Sequence, residues 1–156
     1  MRIEPEITGV LIELTTTERR LLATLLAQYD ELVHDQLDDN DLADDPALAR
    51  LFPNAYPDDE EAAAEFRRYT REGLVERKAA NSGLISAALM ESSDEGRLTV
   101  ARDDAEQWLP ALTDLRLVLA ERLGIHDDDD PLPDSELADV YQWLGELQWA
   151  LVEALD

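Results

Sequence analysis

The 156-residue sequence contains no cysteine. Disulfides, thiolate metal sites and thiol-based redox sensing are thereby excluded from this stretch of chain. Lysine is almost as scarce, with Lys78 alone among 13 basic residues, and these face 37 acidic ones for a net charge of −24. A field of that sign repels phosphate backbones and disfavours anionic membrane surfaces, because binding to either rests on Lys and Arg. No apolar run approaches the roughly 20 residues that span a bilayer. The opening "MRIEPEITGV" lacks the apolar centre of a signal peptide. The expectation is a soluble, cytoplasmic chain.

Catalytic signatures are missing too. There is no Gly-rich phosphate loop, no Ser nucleophile elbow and no H-E-x-x-H pattern. The two histidines, His34 and His126, stand far apart in the sequence. Paired carboxylates are abundant, as 37 acidic residues make inevitable. The expectation is a protein that is not an enzyme and carries no cofactor.

What is present is enough to fold. Hydrophobic residues make up 45% of the chain, which suits one domain with one core over residues 1–156. "RIEPEITGVLIEL", with Ile7, Val10, Leu11, Ile12 and Leu14, predicts strand, turn or bulge at Gly9, then strand, a minor β element over residues 2–14. Thr15 and Glu18 have capping-box spacing, and Leu21, Leu22, Leu25, Leu26, Tyr29, Leu32, Val33 and Leu37 recur at helical intervals through about residue 37. A short helix from Pro46, ending before Pro53, should follow. A long helix from Asp58 or Asp59 should be kinked or split at Gly73. "RLTV" reads as a short strand able to join the N-terminal ones. Asp103 is a candidate cap for the next helix, Pro110 a kink or restart and Gly124 its stop. Ser135 or Asp134 should cap the last helix. The predicted class is mainly α, a compact bundle of about four main helices over residues 15–155 with a small N-terminal antiparallel β element.

"DPALARLFPNAYPDD" (45–59), "AAAEFRRYT" (62–70), "LTDLRLVLAERLGI" (112–125) and "YQWLGELQWALVEAL" (141–155) resemble an actinobacterial family catalogued as domain of unknown function two-zero-one-seven. "RLFPNAY" and "DLRLVLAERLGI" are the most specific portions. Family members lack an established enzymatic activity. Their genes often neighbour the Clp protease adaptor, and some members carry a transcriptional-regulator label. The resemblance implies a regulatory or interaction role and no reaction. Its implied partners are another protein, with transcription machinery and the Clp system as the first choices.

Eight residues are candidates for that interaction. Phe52 and Tyr56 belong to an apolar segment punctuated by Pro46, Pro53 and Pro57, and packing over the core is the plainer expectation for them. Arg67, Arg71 and Lys78 fall near one helical stripe of the chain's basic island, where pairing with local acids competes with a role in binding an acidic partner or nucleic acid. Asp114 and Arg116 lie among five apolar residues of "LTDLRLVL", which favours a fold-fixing ion pair, with an acid on the first helix as a candidate partner, over an anchor in a groove. Trp143 falls off the centre of the Leu144–Leu147–Leu151 stripe and is a candidate interface anchor. A homodimer through this last helix is a further expectation, opposed by like-charge repulsion.

Two alternatives stand beside the regulatory reading. One is a direct DNA-binding transcriptional regulator, for which nucleic acid is disfavoured by the net charge. The other is a metal-binding protein or metal-dependent hydrolase using "HDDDD" (126–130) or "DDNDLADD" (38–45). Adjacent carboxylates in an extended loop do not converge on one ion. Counted from Asp39, the sixth position is Asp44 where a calcium loop needs Gly.

Overall fold

A computed structural model describes residues 1–38, 46–52 and 60–156, with the side chains of 35–38, 60, 63, 64 and 66–71 outside that description. The chain order is β1 (Arg2–Glu6), β2 (Gly9–Glu13), α1 (Thr16–Asp38), α2 (Pro46–Leu51), α3 (Glu60–Glu91), β3 (Arg97–Ala101), α4 (Arg102–Leu123) and α5 (Glu136–Leu155). Helix dominates, and the strands form a small antiparallel sheet in the order β1-β2-β3. The mainly α expectation holds, with α2 as the short helix beside four long ones.

Alternation makes the sheet. Ile3, Val10, Ile12, Leu98 and Val100 point inward, and Arg2, Glu4, Glu13 and Arg97 form ion pairs on the solvent side. Gly9 is not the interruption its sequence position suggested. It pairs with Ala101 at the start of β2, and a Cβ there would lie 2.0 Å from the Val100 carbonyl oxygen. The β1–β2 turn falls instead on Ile7 and Thr8, leaving Ile7 fully exposed rather than in the strand core. Gly96 supplies the positive φ of 79° before β3, where Leu14 N–H donates to its carbonyl at 2.9 Å.

The capping box forms as expected. Glu18 N–H donates to Thr15 Oγ1 at 3.1 Å, and Thr15 N–H donates back to Glu18 Oε2 at 2.9 Å. Ser135 caps α5 by accepting from Ala138 N–H, and Gly124 ends α4 in the left-handed conformation. Three local expectations change. Helix α3 runs through Gly73 unbroken. Helix α4 starts one residue ahead of Asp103, which therefore lies in the first turn and acts on the helix dipole rather than as a cap. Pro110 stays inside α4 without ending it, because Ala105, Trp108, Ala111 and Leu112 are buried on both sides of it and outweigh one lost backbone hydrogen bond.

Helix α1 lies on α3, α3 on α4, and α4 on both α2 and α5, while the sheet rests on α4 and α5. One hydrophobic cluster joins these layers, from Val10 and Ile12 through Leu22, Leu26, Ile85, Trp108 and Leu112 to Leu144, Leu147 and Leu151. Each such fully buried side chain contributes on the order of 1.5–3 kcal/mol. Replacing Thr15 by Ala should cost about 1 kcal/mol, read as a lower urea midpoint with unchanged slope.

Candidate functional site

The best-buried carboxylate among the described residues is Asp114 of α4. Its Oδ2 accepts from the Tyr29 hydroxyl of α1 at 2.6 Å and from Lys78 Nζ of α3 at 2.7 Å. The ammonium of Lys78 also lies 5.7 Å from the centroid of the Phe52 ring, just past α2. One turn away, Ser82 Oγ of α3 donates to Asp30 Oδ1 of α1 at 2.6 Å. Four segments thus converge on one polar cluster. Burial first, and then the hydrogen bond to Asp114, hold the Tyr29 phenol well above its ordinary range.

These contacts reassign most of the expected residues. Asp114 does take part in a fold-fixing ion pair, but its partner is Lys78 and its contact on α1 is a tyrosine, not an acid. Lys78 consequently leaves the basic stripe. Its ammonium is taken up by Asp114, and among the described residues it pairs with no acid of its own helix. Phe52 is core, 5% exposed, as the plainer expectation had it. Tyr56 lies outside the described residues. Arg67 and Arg71 lie on α3 with their side chains outside the description.

Arg116 stands one face round from Asp114 and joins α5 instead. Its guanidinium carbon is 4.8 Å from the Tyr141 ring centroid, and Nη1 donates to Gln148 Oε1 at 3.3 Å. Gln148 Nε2 in turn donates to Thr113 Oγ1 at 2.6 Å. Gly145 leaves room for the guanidinium, which a Cβ would approach to 3.4 Å. Among the described residues Arg116 has no carboxylate within ion-pair distance, so the expected pairing with an acid on α1 is replaced by stacking on an aromatic face.

Trp143 is half-buried against the core, and its indole N–H donates to Glu18 Oε1 at 3.3 Å, tying α5 to the start of α1. The exposed tryptophan is Trp149, at 68%, with Val152 beside it at 40%. Trp143 is partly exposed, as its off-centre place on the α5 stripe suggested. Position 149 lies further from that stripe than 143 does. Met90, at 87% exposure near the end of α3, also went unnoticed, since nothing in the local pattern separates an exposed methionine from a core one.

Several depressions mark the described surface, three of them between helices. A cleft of about 220 Å³ between α1, α4 and α5 is walled by Leu25, Leu32, Val118 and Leu137, with Tyr29 among its lining residues. A groove of about 450 Å³ runs between α1 and α3 past Arg20, Ala23, Leu89 and Met90. A third, of about 340 Å³, lies between α3, β3 and α4 beside Arg97, Asp104 and Trp108.

The acidic loop 126–130 is a closed turn. Asp130 Oδ2 accepts the backbone N–H groups of His126 and Asp127 at 2.8 and 3.0 Å, which holds its carboxyl below the usual range. Arg50 braces the same loop through the Ile125 carbonyl and His126 Nδ1, and pairs with Glu121 at 2.8 Å. His34 interacts with the Asp30 carbonyl of its own helix. Among the described residues no group of three or more His, Asp or Glu side chains gathers as a metal site would require. The run 39–45 lies outside them.

A family model described as "Domain of unknown function (DUF2017)" matches residues 1–155. A Mycobacterium leprae (strain TN) protein named "Putative oxidative stress regulator AosR" is 35% identical, in an alignment covering 72% of this chain. That alignment takes in 59% of the relative, so this chain spans less than two thirds of its length. No solved structure matches. Among the described residues no helix is long and apolar enough to cross a membrane.

The polar cluster generates two predictions. Asp114→Ala strands the Lys78 ammonium and should cost about 3–5 kcal/mol in urea unfolding, whereas Asp114→Leu combined with Lys78→Met should recover most of that loss. Tyr29 has a folded-state pKa above its unfolded value, so its contribution is complete below about pH 10 and is lost as pH rises beyond it. The stability gap between wild type and Tyr29→Phe should therefore stay level from about pH 7 to about pH 9.5 and narrow above about pH 10.

Proposed function

Because this chain belongs to the family described as "Domain of unknown function (DUF2017)", in which a relative bears the name of a regulator, we propose that it is a non-enzymatic regulatory module acting through another protein. The regulator name of that relative is the observation that carries the reading. The interior supports it. The one buried carboxylate among the described residues is already held by a phenol and an ammonium, which leaves no acid or base poised for proton transfer there. Exposed apolar side chains, Trp149 and Met90 foremost, are the kind that anchor protein interfaces.

The relative's name speaks of oxidative stress. These 156 residues hold no thiol, so a response to oxidants does not run through cysteines of this stretch. Recognition of a redox-altered partner is compatible with that composition. The first partners to test are the ones the family resemblance implies, transcription machinery and the Clp system, in the cytoplasm. Direct DNA binding is disfavoured by the charge of −24 and by the engagement of Lys78 with Asp114.

The test is capture by the immobilised chain from a lysate of its host, washed first at about 0.15 M salt and then at about 1 M, where the Debye length falls from about 8 Å to about 3 Å. RNA polymerase, sigma-factor or Clp components surviving the second wash are the expected result. An eluate empty after it sinks the reading.

A further inference from the structure

We propose that this chain binds a second copy of itself head to tail, the tryptophan knob of α5 in one copy entering the α1–α3 groove of the other. The proposal stands apart from the regulatory reading and rests on two unsatisfied surfaces that match.

The knob is Trp149. Positions 146, 149 and 153 fall on one side of a helix, so the indole emerges between Glu146 and Glu153, with Val152 at its flank. All four are exposed, and among the described residues neither glutamate has a cation within ion-pair distance.

The groove has the opposite character. The small side chains of Ala23 and Ser86 fill little of the space between α1 and α3 there, and Leu89 and Met90 give the opening apolar walls. Its volume of about 450 Å³ is within the range of about 300–1,000 Å³ that receives drug-sized groups, ample for one indole. Its cations are Arg19 and Arg20. Arg19 is held by Ser92 Oγ, the Ser93 carbonyl and Thr16 Oγ1, and neither arginine has a carboxylate within ion-pair distance among the described residues.

In a chain of net charge −24, Arg19 and Arg20 put two cations side by side at an apolar opening, with no carboxylate within ion-pair distance among the described residues. Two unpaired glutamates around an exposed tryptophan are their complement. Docking would set Glu146 and Glu153 against Arg19 and Arg20, the indole against the Met90 thioether, and a guanidinium over the ring face. Knob and groove belong to different elements, so the contact is heterologous. It closes into a ring or a two-fold pair, or continues as a chain. Long-range repulsion between two such acidic copies opposes it, and salt screens that repulsion before it screens a close pair.

The experiment is sedimentation of the full chain from about 1 μM to about 1 mM, the range in which weak protein pairs assemble. Self-association should be present and stronger at about 0.15 M than at about 0.01 M salt, where the Debye length is about 30 Å. Trp149→Ala and Met90→Glu, both at exposed positions, should keep the wild-type circular dichroism and melting curve, and each should weaken association about tenfold or more. Mixed together, they should form a 1:1 complex, since the first retains a groove and the second a knob. A wild type that stays monomeric throughout overturns the proposal. So do variants that associate as before, or a mixture of the two that remains monomeric.

Discussion

A single carboxylate, Asp114 Oδ2, sets the register of three helices. Ridges packing into grooves leave helices free to settle at several offsets along one another, and a one-turn slip is only about 5.4 Å. That freedom ends where a buried charge must be matched. A slip of one turn between α1 and α4 would carry the Tyr29 hydroxyl out of reach of Asp114, and the same slip of α3 would carry off the Lys78 ammonium. Leaving the carboxylate unpaired costs several kcal/mol, more than a leucine regained elsewhere would return. The Ser82–Asp30 bond repeats the constraint between α1 and α3 one turn on. The apolar cluster supplies most of the stability, and the polar one chooses among the arrangements that would satisfy it.

The same economy of cations governs the surface. With so few basic residues, the fate of each one matters. Lys78 is drawn inside, Arg50 braces the 126–130 loop, and Arg2 and Arg97 hold the outer face of the sheet. Arg116 is spent on an aromatic ring. The arginines at the mouth of the α1–α3 groove are held differently: Arg19 meets hydroxyls and a carbonyl, and among the described residues neither it nor Arg20 has a carboxylate within ion-pair distance. In so negative a molecule, local chemistry rather than net charge decides what a surface can receive.

Much of the architecture was legible because it follows from period and punctuation. The Thr15–Glu18 box, the Gly124 stop, the Ser135 cap and the pairing of "RLTV" with the N-terminal strands all rest on short-range rules. Where those rules misled, tertiary packing had overridden them. Gly73 and Pro110 disturb an isolated helix, but α3 and α4 continue through both, α4 by burying Ala105, Trp108, Ala111 and Leu112 on either side of its proline. Partnership was harder to read than secondary structure. Asp114 and Arg116 stand two apart, so they project in different directions, and no local pattern says that one meets α1 and α3 while the other meets α5. Lys78 looked like part of a basic island because sequence distance hides the 36 residues that separate it from its carboxylate.

A mutation that disables this protein therefore has two distinct physical origins. Changes at Tyr29, Lys78 or Asp114 act through the register of the helices and so disturb every surface together. Changes at Trp149, Met90 or Arg20 touch exposed atoms that the fold does not need, and their effects report on contacts beyond the chain. Arg116 falls between these groups, since it is half-buried yet bound by no acid among the described residues, and its stacking on Tyr141 ties α4 to α5. The anchored interior makes the exterior informative: Asp114 holds α1 and α3 to α4, Arg116 and Trp143 tie α5 to α4 and α1, and the two faces that present charge and apolar side chains therefore keep a fixed relation to each other. A fixed relation between two surfaces lets a contact be selected by shape as well as by charge.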